Sequence, residues 1–320
     1  MSVLRALQSM GARAAIAALM LSFAFAALHA AQAAGGQLVR HAVDSPSLKR
    51  QMPVVVYVPE GYDTSTKRYP VLYLLHGAGG DENAWCERGG LKARADDMIR
   101  RGIIPPALIV MPGCPTCWWV DGAIDKAETA FWSDLVPTIT RRYRTIEARR
   151  GRVIAGLSAG GYGAMRYALR YPERFAAVAA FSPAVYAESP PSDSAARVQP
   201  AFFGANGAFD QAKWAELNYP NLLPRYFAQT LRVPAYLVSG DNDRFGIAFE
   251  TALLFKRLYD RQPDITELRV IDGGHTWDVW SAAIERAMPF LFEHAALPED
   301  DVPAHSTRAG TASTIAMQRR

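Results

Sequence analysis

The sequence predicts one α/β domain on a mostly parallel central sheet with helices on both faces, and three observations predict it. Short continuous apolar runs of buried-strand type alternate with stretches that carry apolar residues at helical spacing. Several of the runs end in glycine-rich or acid-rich polar loops, the chemistry found where strands deliver residues to a site. The stretch from Arg152 to Gly163, RVIAGLSAGGYG, passes from an apolar run through a serine flanked by glycines into a helix-compatible segment. That is a strand, a sharp turn and a helix, with Ser158 at the apex.

The chain has 320 residues, 50% hydrophobic and 21% charged, an ordinary globular composition. One domain of roughly 250 residues with terminal extensions fits this length better than two equal domains. Residues 1–33 read as a signal peptide: Arg5 and Arg13 form a basic region, Ala14 to Leu28 an apolar one, and Ala31-Gln32-Ala33 a small-residue cleavage site. The alternative is a retained anchor, for which the apolar run is short of the roughly 20 residues a span requires. The mature chain is expected to be exported, periplasmic or extracellular, without stable membrane insertion. Residues 34–296 form the expected domain, and residues 297–320, poor in large apolar side chains, an expected disordered tail.

Removing residues 1–33 lowers the formal charge from +4 to +2, since two arginines and no acids are lost. That balance, without a basic stripe interleaved with aromatics, excludes a nucleic-acid footprint. Of the three cysteines, Cys86, Cys114 and Cys117, one pair can bridge. Cys117 is expected to pair with Cys114 or Cys86. A zinc site would need four ligands, and no histidine is suitably spaced, so neither metal nor organic cofactor is expected.

Taken in order, Pro53 to Val58 reads as a valine-rich strand closed by Pro59, Glu60 and Gly61. Val71 to Leu75 is a buried strand ending in His76-Gly77-Ala78-Gly79-Gly80. A helix over Leu91 to Arg101 and a strand over Ala107 to Met111 follow. Residues 128–144 carry Phe131, Leu135, Val136 and Ile139 at helical spacing, with Pro137 expected to kink them. The elbow strand begins at Val153, and Phe175 to Phe181 is the next apolar run. Residues 184–230, rich in proline, serine and scattered aromatics, predict an irregular insertion with short helices lying over the site. The sheet resumes at Ala235 to Ser239, a helix covers Phe249 to Tyr259, a strand Leu268 to Ile271, and a last helix Trp280 to His294.

A serine hydroxyl attacks a carbonyl only with a base in hydrogen-bond reach, itself oriented by a third group. Of six histidines, His29 falls in the leader, His41 near the mature N-terminus, His294 at a helix end and His305 in the tail. His76 is expected to shape its loop. His275, in a glycine-rich loop directly after a strand, remains as the base. The acid is expected between serine and histidine in the chain, and Ser239-Gly240-Asp241-Asn242-Asp243-Arg244 follows a strand there. Asp243 is the expected acid and Asp241 the reserve. The backbone N–H of Ala159, next to the serine, and that of Ala78 are the expected oxyanion donors.

These four segments together, His76 to Trp85, Ala155 to Gly163, Gly240 to Asp243 and Gly273 to Trp280, resemble the esterase D, or putative esterase, family of α/β-hydrolases. The resemblance spans about residues 45–295. The family includes S-formylglutathione hydrolases, feruloyl and acetylxylan esterases, siderophore esterases and mycolyltransferases. It implies an α/β-hydrolase fold, with Ser158 as nucleophile, His275 as base and Asp243 as acid, acting on a small-molecule or carbohydrate-linked ester. The chain departs from the family between Met111 and Asp121, where two cysteines and Trp118-Trp119 replace a small-residue loop. Trp118, Trp119, Trp277 and Trp280 are candidates for stacking on a sugar or aromatic acyl group, Trp119 and Trp277 foremost. The expected activity is that of a secreted serine carboxylester hydrolase; the alternatives are an acyltransferase with the same three residues and a binding protein that has kept the fold.

Overall fold

The computed structural model describes residues 35–300. The leader expected at residues 1–33 and the tail beyond residue 300 lie outside the described residues. Eight strands, β1 (Gln37–Ser45), β2 (Arg50–Val58), β3 (Val71–Leu75), β4 (Leu108–Pro112), β5 (Arg152–Leu157), β6 (Ala177–Phe181), β7 (Ala235–Gly240) and β8 (Thr266–Ile271), form one sheet. Their order is β1-β2-β4-β3-β5-β6-β7-β8. Strands β3 to β8 pair in parallel, while β1 and β2 form an antiparallel hairpin joined antiparallel to β4. The prediction of a mostly parallel sheet therefore holds, with an antiparallel edge.

The longer helices are α1 (Leu91–Arg100), α2 (Val136–Arg142), α3 (Ala159–Arg170), α4 (Gln211–Leu217), α5 (Tyr219–Ala228), α6 (Ile247–Tyr259) and α7 (Trp277–Glu293). Alternation along β3 sorts them into two layers. Val71, Tyr73 and Leu75 face a core shared with α3, α5 and α6, while Leu72 and Leu74 face one shared with α1 and α7. The central strands are buried throughout, which is why they read as unbroken apolar runs.

Three local departures from expectation have physical reasons. Strand β1 is absent from the sequence reading: it is an edge strand, largely exposed, whose Arg40 and His41 break the alternation, and its pairing comes from β2. The expected helix over 128–144 is a helical turn at Ala127–Ala130, a π-helical stretch at Phe131–Leu135, then α2. Pro137 has no N–H for the turn before it and its ring crowds that carbonyl, so the helix widens upstream. Finally, α7 begins at Trp277, three residues earlier than expected, which puts Trp277 in its first turn.

The region 184–230 contains α4, α5 and two short turns, at Ala195–Val198 and Pro200–Phe202. It is fastened to α3 at Leu217, whose carbonyl accepts from the Tyr162 hydroxyl and from Arg166. Arg166 also forms a buried ion pair with Glu128 at 2.7 Å. At the other end, Glu299 exchanges backbone hydrogen bonds with Arg68 and pairs with Arg150, so the ordered chain passes the boundary expected at residue 296.

Candidate active site

Ser158 sits between β5 and α3 at φ 53°, ψ −115°, a conformation that costs a non-glycine residue on the order of 1–3 kcal/mol and that the surrounding structure must impose. Two glycines make the turn fit. A Cβ on Gly156 would lie 2.4 Å from the Gly160 backbone, and one on Gly160 would lie 2.5 Å from the carbonyl oxygens of Leu75 and His76. Hydrogen bonds then fix the apex: the Ser158 N–H donates to Phe181 at the end of β6, and the Ser158 carbonyl accepts from Ala184 and Tyr162.

The strands deliver the remaining groups to the same sheet edge. His275, in the loop after β8, places Nε2 3.0 Å from Ser158 Oγ and Nδ1 2.7 Å from Asp243 Oδ2. Asp243 lies in the loop after β7 with its side chain fully buried, and its Oδ1 accepts from the Phe245 N–H at 3.0 Å. A buried carboxylate needs such partners to offset lost hydration. Asp241 does different work: its exposed Oδ1 accepts from the Gly273 N–H at 3.0 Å, tying the β7 and β8 loops together. Of the two acids that chain position leaves open, Asp243 is the one in contact with His275. The imidazole of His275 is held edge-on between Phe245 and Trp280, with ring centroids at 5.1 and 5.0 Å.

On the other side of Ser158, the loop after β3 is braced by His76. Its Nε2 accepts from the Cys114 N–H at 2.9 Å, so Nδ1 carries the proton and donates to the Gly77 carbonyl at 2.7 Å. Burial drives the His76 pKa down to about 4, keeping the ring neutral. The Gly77 carbonyl also accepts from Gly80, closing a turn that presents Ala78 to the cleft. Ala159 opens α3 and is buried; the first N–H groups of a helix have no intrahelical acceptor, which leaves its donor available beside Ser158.

Beside these groups lies a cleft of about 540 Å³, lined by Ala78 to Gly80, by Trp277 and Trp280, and by Tyr186, Ser194 and Ala195. Of the stretch 184–230 expected to lie over the site, Ala184, Tyr186, Ser194 and Ala195 contribute to this lining. Trp119 is a correction. It is 1% exposed and outside the lining, beneath α3, where its indole N–H donates to the His76 carbonyl at 2.9 Å. Trp118 lines the cleft instead. Trp277, half-buried, lines it as expected. Cys117 is disulfide-bonded to Cys114, with Cα atoms 5.3 Å apart, and Cys86 is a free thiol whose pKa burial raises to about 11. Phe245, Tyr186, Arg88 and Arg244 also line the cleft and were missed, since no local motif marks them. Among the described residues, no cluster of metal-ligating side chains is present and no helix is long and apolar enough to cross a membrane.

Comparison with known proteins adds independent findings. The profile of the family described as "Putative esterase" matches residues 45–291. A curated endo-1,4-beta-xylanase/feruloyl esterase of Xylanibacter ruminicola is 36% identical over 140 residues, covering 41% of this chain and 19% of the relative. An esterase of Mycobacterium tuberculosis is 34% identical over 138 residues, covering 40% of this chain and 28% of its own length. The matched stretch is thus less than a third of either relative. Among solved structures, a ferulic acid esterase aligns with TM-score 0.70 and 26% identity, over 81% of this chain and 98% of that one.

Proposed function

Since the chain belongs to the Putative esterase family, we propose that it is a carboxylic ester hydrolase that works through an acyl-enzyme on Ser158. Ser158 Oγ attacks the ester carbonyl carbon while His275 Nε2 takes its proton. The Asp243 carboxylate holds His275 in the tautomer with hydrogen on Nδ1 and stabilises the imidazolium. The tetrahedral oxyanion is received by the N–H groups of Ala159 and Ala78, a type of contact worth roughly 3 kcal/mol per donor. Collapse breaks the bond to the alkoxy oxygen, which leaves as the alcohol with the proton from Nε2. Water then attacks the acyl-serine, gives a proton to His275, and the carboxylic acid departs as Ser158 recovers its hydrogen.

The observation that carries this reading is the Ser158, His275, Asp243 arrangement, with contacts of 3.0 and 2.7 Å, whose serine and histidine line the cleft. The tryptophans around it support a substrate with a planar or apolar portion, in keeping with a relative named for feruloyl esters. Export belongs to the same proposal: the Cys114–Cys117 disulfide is of a kind that persists in oxidising compartments. Hydrolysis of a para-nitrophenyl ester series and of methyl ferulate, with Ser158→Ala as control, tests the activity. Serine-dependent turnover is expected, and a folded protein that turns over none of them sinks the proposal.

A further inference from the structure

The cleft carries a charge bias that ester hydrolysis by itself does not require. Its lining includes two guanidinium groups, Arg88 and Arg244, and no aspartate or glutamate; the Asp243 carboxylate is buried behind His275. Each arginine is stacked on an aromatic ring of the site. The Arg88 guanidinium lies 5.5 Å from the Trp277 ring centroid, and that of Arg244 lies 4.0 Å from the Phe245 ring. Phe245 and Trp280 hold the two edges of His275, and Trp277 packs on Trp280 at 5.3 Å. The reacting imidazole therefore stands between two cation-capped aromatic walls.

The two arginines differ in what they are free to do. Arg244 is paired with Asp193 at 3.1 Å, next to the cleft residue Ser194. Arg88 is exposed, its backbone N–H donates to the Ala84 carbonyl, and its guanidinium has no hydrogen bond or ion pair among the described residues. Glu87, its neighbour in sequence, forms no ion pair with it among the described residues, and farther back in the loop Asp81 accepts from the Asn83 N–H and Glu82 from the Asn83 side chain. An arginine laid on an indole keeps its planar fork of donors pointed away from the ring face, a form pre-organised for a carboxylate.

Resting on the esterase reading above, we infer that the substrate is an anionic ester whose free carboxylate is bound by Arg88 at the Trp277 wall of the cleft. The carboxylate belongs to either half of the ester, and the two sources are separable by substrate. With para-acetoxybenzoate the charge is on the leaving alcohol; with the half-ester of glutarate and para-nitrophenol it is on the acyl group. The neutral counterparts are methyl para-acetoxybenzoate and para-nitrophenyl valerate.

The readout is the ratio of kcat/KM for each anionic ester over its neutral partner, which cancels intrinsic reactivity between protein variants. In Arg88→Gln this ratio is expected to fall about tenfold for one of the two pairs, the scale of one charge-assisted hydrogen bond at a partly solvated site. Arg88→Lys restores part of it, and the wild-type ratio falls as salt rises. Asp193→Asn, which releases Arg244, raises it a few-fold, on the order of one surface ion pair. Arg286→Gln, an exposed charge outside the cleft lining, leaves it unchanged. Serine-dependent turnover with a ratio indifferent to Arg88→Gln in both pairs overturns the inference while leaving the esterase reading standing. If no ester is turned over, the esterase reading falls by itself, and calorimetric binding of para-hydroxycinnamate to the Ser158→Ala protein decides the anion site. Binding weakened about tenfold by adding Arg88→Gln upholds it, and binding indifferent to that change overturns it.

Discussion

Strand order places β3 on one side of β5 and β6 to β8 on the other, so two loop systems meet at Ser158, and they are fastened by different physics. The loop after β3, which carries Ala78, is braced from within. A buried neutral imidazole, an indole N–H and the chain segment that carries the Cys114–Cys117 bridge hold it through uncharged hydrogen bonds. The loops after β7 and β8 are half-exposed, and carboxylates hold them: Asp241 on the Gly273 N–H, Asp243 on Phe245 and His275. On the mechanism proposed above, the difference follows from what each loop has to do. The oxyanion donors must stay fixed while charge develops in front of them, and buried neutral bonds give a preorganised dipole that does not titrate near neutral pH. On the same proposal the base gains and loses a proton in each cycle, and an anionic orienting group stabilises the imidazolium that forms.

The largest test removes the residue both systems serve. Ser158→Ala should lower turnover by roughly six orders of magnitude, with far-ultraviolet dichroism unchanged, since the elbow loses one hydroxyl and no packing. Retained turnover would show that the two loop systems converge on the wrong atom.

Within the charged side, Asp243→Asn should lower kcat by about four orders of magnitude. The amide can turn a donor toward His275 Nδ1, which favours the tautomer with hydrogen on Nε2 and no acceptor for the serine proton. Asp241→Asn keeps a carbonyl to accept from Gly273 and should cost no more than a few-fold. Steady-state kinetics of both variants read the ranking, and the reverse order would mean that the loop latch, and not the relay, governs the reaction.

The same contrast explains how much was legible in the chain. Ser158 is visible because the elbow is a local pattern whose steric demands fall on Gly156 and Gly160, two residues either side. His275 is visible because a strand end followed by glycines is also local. Asp241 and Asp243 sit in one turn, and only a contact with a residue far along the chain separates them. Trp118 and Trp119 are adjacent, so the chain sends one to the cleft and the other beneath α3, where Trp119 takes a positive φ of 55°; composition cannot say which. Strand β1 is set by its partner, and the pairing of Arg88 with Trp277 joins segments distant in sequence. What the chain spells locally is the serine elbow, and what it leaves to the fold is the cleft's lining.

On the uncharged side, His76 makes stability depend on pH in a predictable direction. Its folded pKa of about 4 lies below the ordinary 6.5, so between those values the unfolded chain binds a proton that the folded chain refuses. Stability from this group is complete above pH 6.5 and is lost as pH falls toward 4, by about 3 kcal/mol over the window. His76→Gln offers an acceptor and a donor but does not titrate. Urea unfolding of both proteins across that window should show the variant losing less stability on acidification. His41 and His294, also lowered by burial, act alike in both proteins, and parallel curves would remove His76 from the account.

The smallest expected effect concerns the covalent part of the brace. The Cys114–Cys117 bridge spans three positions of sequence, so it closes a very short loop and constrains the unfolded chain little; its contribution should be about 2 kcal/mol or less. Replacing both cysteines with serine should therefore lower Tm by a few degrees. The bridge also fixes the segment whose Cys114 N–H meets His76 Nε2, while the Arg50 guanidinium holds the same segment through Thr116 and Asp125. With Arg50 still in place, kcat should fall several-fold, with KM moving less, because loosening the oxyanion donors weakens the transition state more than the bound ester. Unchanged kcat would show that His76, Trp119 and Arg50 hold the loop without the disulfide. A loss as large as that of Asp243→Asn would erase the contrast between the two sides, making the uncharged brace as decisive as the charged relay.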